Sequence, residues 1–184
     1  MNPAIDRQIR KGDDPVLKAV CTPIEPGEHL PWLATMERVC RLAPGVGLAA
    51  PQIAQARRVV MTLLGRESRF YINPVITWRS ESTNVQREGC LSYPGIEKGI
   101  RRHDAIEMDF LDEQRRPRSE RFDGFTARVI QHEVDHLDGI CRVGDPAYAD
   151  ELPPQPVQAK RRMRPMDAAV LVALASVGMN SMRR

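Results

Sequence analysis

The residues best suited to chemistry lie in one hexapeptide, Gln131-His132-Glu133-Val134-Asp135-His136. Two imidazoles at i and i+4 of a helix stand one above the other, so both can reach a single metal ion, and the carboxylate beside the first projects toward the same place. This is the HExxH geometry of metal-assisted hydrolysis. As a bare pattern it also fits a solvated helix face. Its surroundings argue for burial: Val129 continues the His132 face, and Ile130, Val134, Leu137 and Cys141 form a second apolar stripe that can anchor the helix. A buried His/Glu/His trio needs partners or a metal.

Two histidines leave a metal short of the three protein ligands that catalytic sites usually supply. Downstream, Asp138, Asp145, Asp150 and Glu151 fall in or beyond the end of the helix and match poorly. The better donor is upstream, in Glu88-Gly89-Cys90-Leu91-Ser92, where a thiol beside a glycine can approach a metal closely and binds it well once deprotonated. Cys90 also reads as a small buried hydrophobe, the commoner state of a lone cysteine. A third segment, Gly45-Val46-Gly47-Leu48-Ala49-Ala50-Pro51-Gln52, lets backbone run close to something else. It lacks the spacing and the Lys-Ser/Thr of a phosphate cradle, and Gln52 by itself reads as a surface amide.

The elements that must position these groups follow from periodicity. Trp32, Leu33, Met36, Val39 and Cys40 make one stripe of an N-terminal helix over Pro31 to Leu42. Asp14 to Ile24 reads as an irregular lead-in. Strands are expected at Val59 to Leu64, Phe70 to Ile72, Val75 to Trp78, Ala105 to Leu111 and Ser119 to Phe122, with Asn73-Pro74 and Asp112 to Pro117 as turns. The second helix runs over Phe125 to Leu137, with Asp123 as N-cap and Gly139 at its end. The class predicted is α+β: antiparallel strands packed around a central metal-binding HExxH helix, with an N-terminal helix.

Taken together, GVGLAAPQ, EGCLS and QHEVDH resemble, in order and separation, the three signature motifs of peptide deformylases. The likeness extends from Asp14 to Gly139 and includes Asn73-Pro74, Pro94-Gly95 and Gly124-Phe125. It implies a hydrolase that removes the formyl group from the N-terminal formylmethionine of nascent polypeptides, with one divalent metal, Fe(II) foremost and Zn, Ni or Co as alternatives. By motif position Cys90, His132 and His136 are the implied ligands, with water in the remaining place and Glu133 as general base and acid. Gln52 and the backbone N–H of Leu91 are the implied donors to the oxyanion. Val46, Leu91, Phe125 and Val129 are expected to wall the methionine pocket. The backbone of Gly45 and Gly47 is expected to pair with an extended peptide. Glu88 is expected to pair with Arg102. Two rival readings are a metal-stabilised binding protein without turnover and an HExxH peptidase that cuts internal bonds.

The chain has 184 residues, 42% apolar and 28% charged, enough for one domain with a real core. Residues 1–150 hold 21 Lys/Arg against 22 Asp/Glu, so the net charge of +3 comes wholly from the end of the chain. Such a body is a poor candidate for tracking nucleic-acid phosphates, and no direct DNA binding is expected. The four scattered cysteines read as reduced thiols of a cytoplasmic protein, an organelle with formylmethionine initiation being the alternative. Neither a signal peptide nor a membrane span is expected. The catalytic domain is expected to cover residues 1–144. Residues 145–184 read as a basic, Pro-containing tail with a short apolar helix at 167–177. That tail is either simply solvated or a tether to ribosomal RNA.

Overall fold

The protein is described from a computed structural model, which covers residues 3–43 and 45–152. Three helices, α1 (Pro3–Asp6), α2 (Leu33–Leu42) and α3 (Gly124–Leu137), accompany seven strands. The strands are β1 (Gly47–Ala49), β2 (Val59–Leu64), β3 (Glu67–Arg79), β4 (Thr83–Cys90), β5 (Tyr93–His103), β6 (Ala105–Leu111) and β7 (Pro117–Asp123). Five of them form an antiparallel sheet in the order β1-β2-β3-β6-β7, and β4 and β5 form a separate hairpin. Helix α3 packs against β1, β2, β5, β6 and β7.

The apolar stripe expected on α2 is the one it buries: Met36, Val39 and Cys40 are inaccessible and pack with Leu48, Val59, Met61 and Ile72. On the other side Ile130, Val134 and Leu137 of α3 join Val60, Tyr71, Ile106 and Met108. Full burial of side chains such as Ile130 and Leu137 is worth about 1.5–3 kcal/mol each, which fixes the rotation of α3 and so the direction of its histidines. The helix starts where Gly124, at φ +53, turns the chain out of β7 and donates its N–H to Asp104 O at 2.8 Å. Asp123 occupies the N-cap position but makes no side-chain capping bond. At the far end Gly139 adopts φ +71 with the Lys18 carbonyl 2.5 Å from where a Cβ would stand, so only glycine allows the reversal.

The structure departs from the sequence reading at four places. The segment 14–24 contains a 3₁₀ turn at Pro15–Lys18, capped by Asp14, which bonds Val16 N at 3.1 Å. Asn73-Pro74 does not split two strands: it is an irregularity within continuous β3, with Asn73 at φ +51 and its amide bonded to both Ile24 N and Ile24 O. The hairpin β4-β5 was not foreseen at all. Residues past 144 also stay with the domain, since Lys98 Nζ donates to Asp145 O and Tyr148 O, and Glu151 N bonds Gly99 O at 3.0 Å. The compact unit reaches Leu152, and the helix expected at 167–177 lies outside the described residues. No helix among the described residues is long and apolar enough to cross a membrane.

Candidate active site

The three motifs converge on a cleft of about 720 Å³ between β1, the β4-β5 hairpin and α3. Gly45, Val46, Gly47, Gln52, Cys90, Leu91, Phe125, Val129, His132 and Glu133 all line it, and His136 lies buried behind. Val46, Ile96 and Phe125 are exposed large apolar side chains at this cleft, so it offers an apolar rim to a ligand. Pro94, Ile96 and Glu97 also line it and were not anticipated, because their hairpin was not.

Cys90 closes β4 at a register shift between Gly89 and Cys90, a bulge of the kind that re-aims a side chain. Its Sγ lies 3.3 Å from His136 Nε2. The His132 ring packs edge-on to that of His136, with centroids 5.2 Å apart. His132 Nδ1 is fixed by Glu88 Oε2 at 2.9 Å, which leaves Nε2 as the free nitrogen. Burial holds His136 well below the usual imidazole range, so it is a neutral donor.

Glu88 is the hub of a buried ion cluster. The expected pairing with Arg102 is present and bidentate, at 3.0 and 2.9 Å, and Arg128 and His132 bond the same carboxylate. Burial alone would raise its pKa; the bonds from His132 and Arg102 and the Arg102 charge overcome this and bring it to about 2. Arg102 continues to Asp135, which Arg142 also contacts.

Gln52 is not a surface amide but 2% exposed. Its Oε1 accepts from Ala49 N at 2.8 Å and its Nε2 donates to Ser92 Oγ at 3.1 Å, with Cys90 Sγ at 3.7 Å. The amide N–H₂ is thereby held toward the thiol. The N-terminal segment braces this corner: Arg10 N bonds Gln52 O, Gly12 N bonds Ser92 O, and Lys11 Nζ bonds Leu91 O at 3.0 Å.

Glu133 faces β1 so closely that a Cβ on Gly47 would stand 2.6 Å from its Oε1 and 2.7 Å from Val129 Cγ1. Its Oε2 is buried with no partner, and desolvation pushes its pKa up to about 7. A carboxyl group so placed both takes and gives a proton near neutral pH.

Among the described residues, Cys90, His136 and Cys141 bring three donor atoms within 4.8 Å of one another. A thiol pair and a neutral imidazole, with an orphaned carboxylate oxygen nearby, fit a transition metal. Cys141 was expected only as part of the apolar stripe. It reaches the site through the reversal at Gly139, which helical periodicity does not describe.

Residues 6–145 match the family model described as polypeptide deformylase. The chain belongs to the peptide deformylase family. A peptide deformylase of Treponema pallidum is 43% identical over 129 residues, covering 69% of this chain and 80% of that protein. The Thermotoga maritima deformylase structure superimposes with a TM-score of 0.68 at 35% identity, covering 72% of this chain and 92% of that one. A deformylase of Acinetobacter baumannii with Met-Ala-Ser bound gives a TM-score of 0.67 at 30% identity, covering 72% and 93%. The chain is thus an enzyme of the deformylase family, with mixed α/β architecture and antiparallel strands like theirs.

Proposed function

We propose that this deformylase hydrolyses the formamide bond of N-terminal formylmethionine on nascent polypeptides, releasing formate, with Cys90, His132 and His136 as ligands of one divalent metal, Fe(II) foremost. The observation that carries the reading is the convergence of Glu133, the Gln52 amide and the Cys90-His136 pair in one cleft. When bound, the metal supplies Lewis acidity that lowers the pKa of water and polarises a carbonyl.

The chain's own groups do the rest. The Glu133 carboxylate removes the proton of the attacking water and delivers it to the leaving amine, a double role suited to a carboxyl poised near 7. Gln52 Nε2, locked by Ser92 and Ala49, and the Leu91 N–H stabilise the developing oxyanion. β1 is an edge strand of the sheet, so the backbone of Gly45 and Gly47 offers an extended peptide an added-strand partner, and the peptide's methionine side chain meets Phe125 and Val129. Main-chain pairing of that kind is nearly sequence-blind beyond the first residue, as a processing enzyme requires. The cytoplasm, or an organelle that initiates with formylmethionine, is where this substrate arises. The basic residues at the end of the chain hold the enzyme near ribosomal RNA.

The test is formate release from a short formyl-Met peptide by anaerobically prepared, Fe(II)-loaded protein. Glu133→Gln is expected to lower turnover by about 10²–10⁴ while the metal content stays unchanged. Cleavage of internal peptide bonds instead, or no release with any divalent metal, overturns the proposal.

A further inference from the structure

The deformylase reading, on which this inference rests, gives the substrate's methionine an apolar wall of Phe125 and Val129, and gives Arg128 only a share in holding Glu88. We infer that Arg128 is also a specificity-determining residue, whose Nε–H donates to the sulfur group of the substrate side chain. The enzyme then selects methionine by its heteroatom as well as its size, and its substrates extend to chain ends that carry methionine sulfoxide.

The placement follows from the helix. Phe125, Arg128, Val129 and His132 stand at i, i+3, i+4 and i+7 of α3, so they share one face, and all four line the cleft. Arg128 lies one turn before His132, beside the residues that wall the side-chain pocket. It is 4% exposed, and an arginine is seldom so buried unless it is paired. Nη1 donates to Glu88 Oε1 and to Ile100 O, the latter at 2.9 Å. Nη2 donates to Asn84 O at 2.9 Å and to Asn84 Oδ1 at 2.7 Å. These bonds use every N–H of the two terminal nitrogens and fix the plane of the guanidinium against the β4-β5 hairpin.

A guanidinium carries a further donor, on Nε. Arg128 Nε donates to nothing among the described residues. The fully buried side-chain polar atoms without a partner there are Arg57 Nε, Glu133 Oε2 and His136 Nδ1. Arg128 Nε is not one of them, so it meets the open space of the cleft that Arg128 lines. The result is a fixed N–H on a charged group, set in a stretch of wall that Phe125 and Val129 make apolar.

Such a donor discriminates by what a ligand offers it. A side chain that fills the pocket drives water from the wall, and an N–H then left without an acceptor costs its full desolvation. The methionine thioether is a weak acceptor. Norleucine, with a methylene in place of sulfur, offers nothing, although an apolar wall alone gives it at least parity because it buries one more methylene. Methionine sulfoxide is polar, so an apolar pocket rejects it, whereas the Arg128 N–H provides its oxygen with a partner.

The test compares three side chains on one protein. For the Fe(II)-loaded full chain, kcat/KM for formate release is measured with formyl-Met-Ala-Ser and with its norleucine and methionine sulfoxide counterparts, and calorimetry measures binding of the three deformylated peptides. Methionine is expected to exceed norleucine by about 3–10-fold in both readouts. The sulfoxide is expected to stay within about tenfold of methionine, where an unrelieved buried polar group loses about 10–100-fold. In Arg128→Met, which keeps an unbranched stem and removes the guanidinium, the methionine-to-norleucine ratio is expected to fall to about one and the sulfoxide to lose a further about 10–100-fold. These are ratios within one protein, so changes in folding, metal content or His132 orientation cancel from them. A methionine-to-norleucine ratio at or below one in the unaltered protein overturns the inference without any variant needing to fold, and a preference that persists in Arg128→Met does the same. The calorimetric preference without formate from any peptide sinks the deformylase reading alone, and formate release without the preference sinks this one alone.

Discussion

Glu88 shows how much one side chain carries. It is 7% exposed and accepts from Arg102, Arg128 and His132 at once, the two arginines being 4% exposed. Removing it strands two buried guanidinium groups and frees the His132 ring to turn. Glu88→Ala is therefore expected to destabilise the fold by about 3–5 kcal/mol in denaturant titration. Metal affinity in the folded fraction is expected to drop by about 10–100-fold, since the tautomer and orientation of His132 are no longer fixed. A change below about 1 kcal/mol with affinity intact would show that the cluster is merely tolerated. The pairing of Glu88 with Arg102 was legible in the sequence; Arg128 was not, because nothing in a helix pattern marks an arginine as buried. His132, Glu133 and His136 were legible because helical period alone fixes their relative placement. Cys141 was not, because its approach depends on a left-handed glycine and a turn.

At the scale of elements, β1 is held against α3 by a missing side chain. Gly47→Ala places a methyl group where Glu133 Oε1 and Val129 Cγ1 already stand, at 2.6 and 2.7 Å. Strand and helix must part, at a cost of about 1–3 kcal/mol. The expected result is a fall in kcat larger than the loss in thermal stability explains, with metal content unchanged; full turnover would mean that Glu133 has slack the geometry denies. The β6-β7 turn makes a separate, pH-dependent case. Asp112 accepts from Gln114 N, Arg116 N and Nε, and Arg118 Nε at 2.8–3.0 Å. Desolvation is the largest single influence and opposes ionisation, but the bonds from Arg116 and Arg118 together with the Arg116 charge outweigh it and bring the carboxyl from 3.8 to about 2. Because the folded value lies below the unfolded one, the stabilisation is present above 3.8 and disappears as pH falls toward about 2. Asp112→Asn should flatten that part of the acid-unfolding curve, and an unchanged curve would remove the claim. The strands that alternate cleanly, such as Ala105–Leu111, were read from sequence, whereas β4 and β5 were not. Their sequences, TNVQREGC and YPGIEKGIRRH, have glycines and charges at positions that a half-buried strand would fill with apolar groups. What docks this hairpin on α3 is the buried arginine and glutamate cluster, and hydrophobic alternation does not report it.

For the whole molecule, charge is divided along the chain rather than across a face. Residues 1–150 are close to neutral, while residues 153–184 hold six cations, Lys160, Arg161, Arg162, Arg164, Arg183 and Arg184, against the single anion Asp167. The substrate is an uncharged formylated chain end, so the cleft needs no long-range field to capture it, and the positive charge has no use in the chemistry itself. On the proposed reading, six cations in one terminal segment of an otherwise near-neutral chain serve binding beside RNA, where each phosphate contact releases counterions and makes binding steeply salt-dependent. Deleting residues 153–184 leaves every cleft residue and the Lys98 and Gly99 contacts to residues 145–151 in place. Turnover on a short formyl-Met peptide is therefore expected to be unchanged. Co-sedimentation with ribosomes is expected to be present for the full chain at low salt, to fall as ionic strength rises and the Debye length shrinks below about 10 Å, and to be lost in the truncated chain. Ribosome binding that survives the deletion would move the docking surface onto the catalytic domain. Binding by neither protein would leave the basic segment a solvated extension and assign capture of the nascent chain to the open edge of β1 alone.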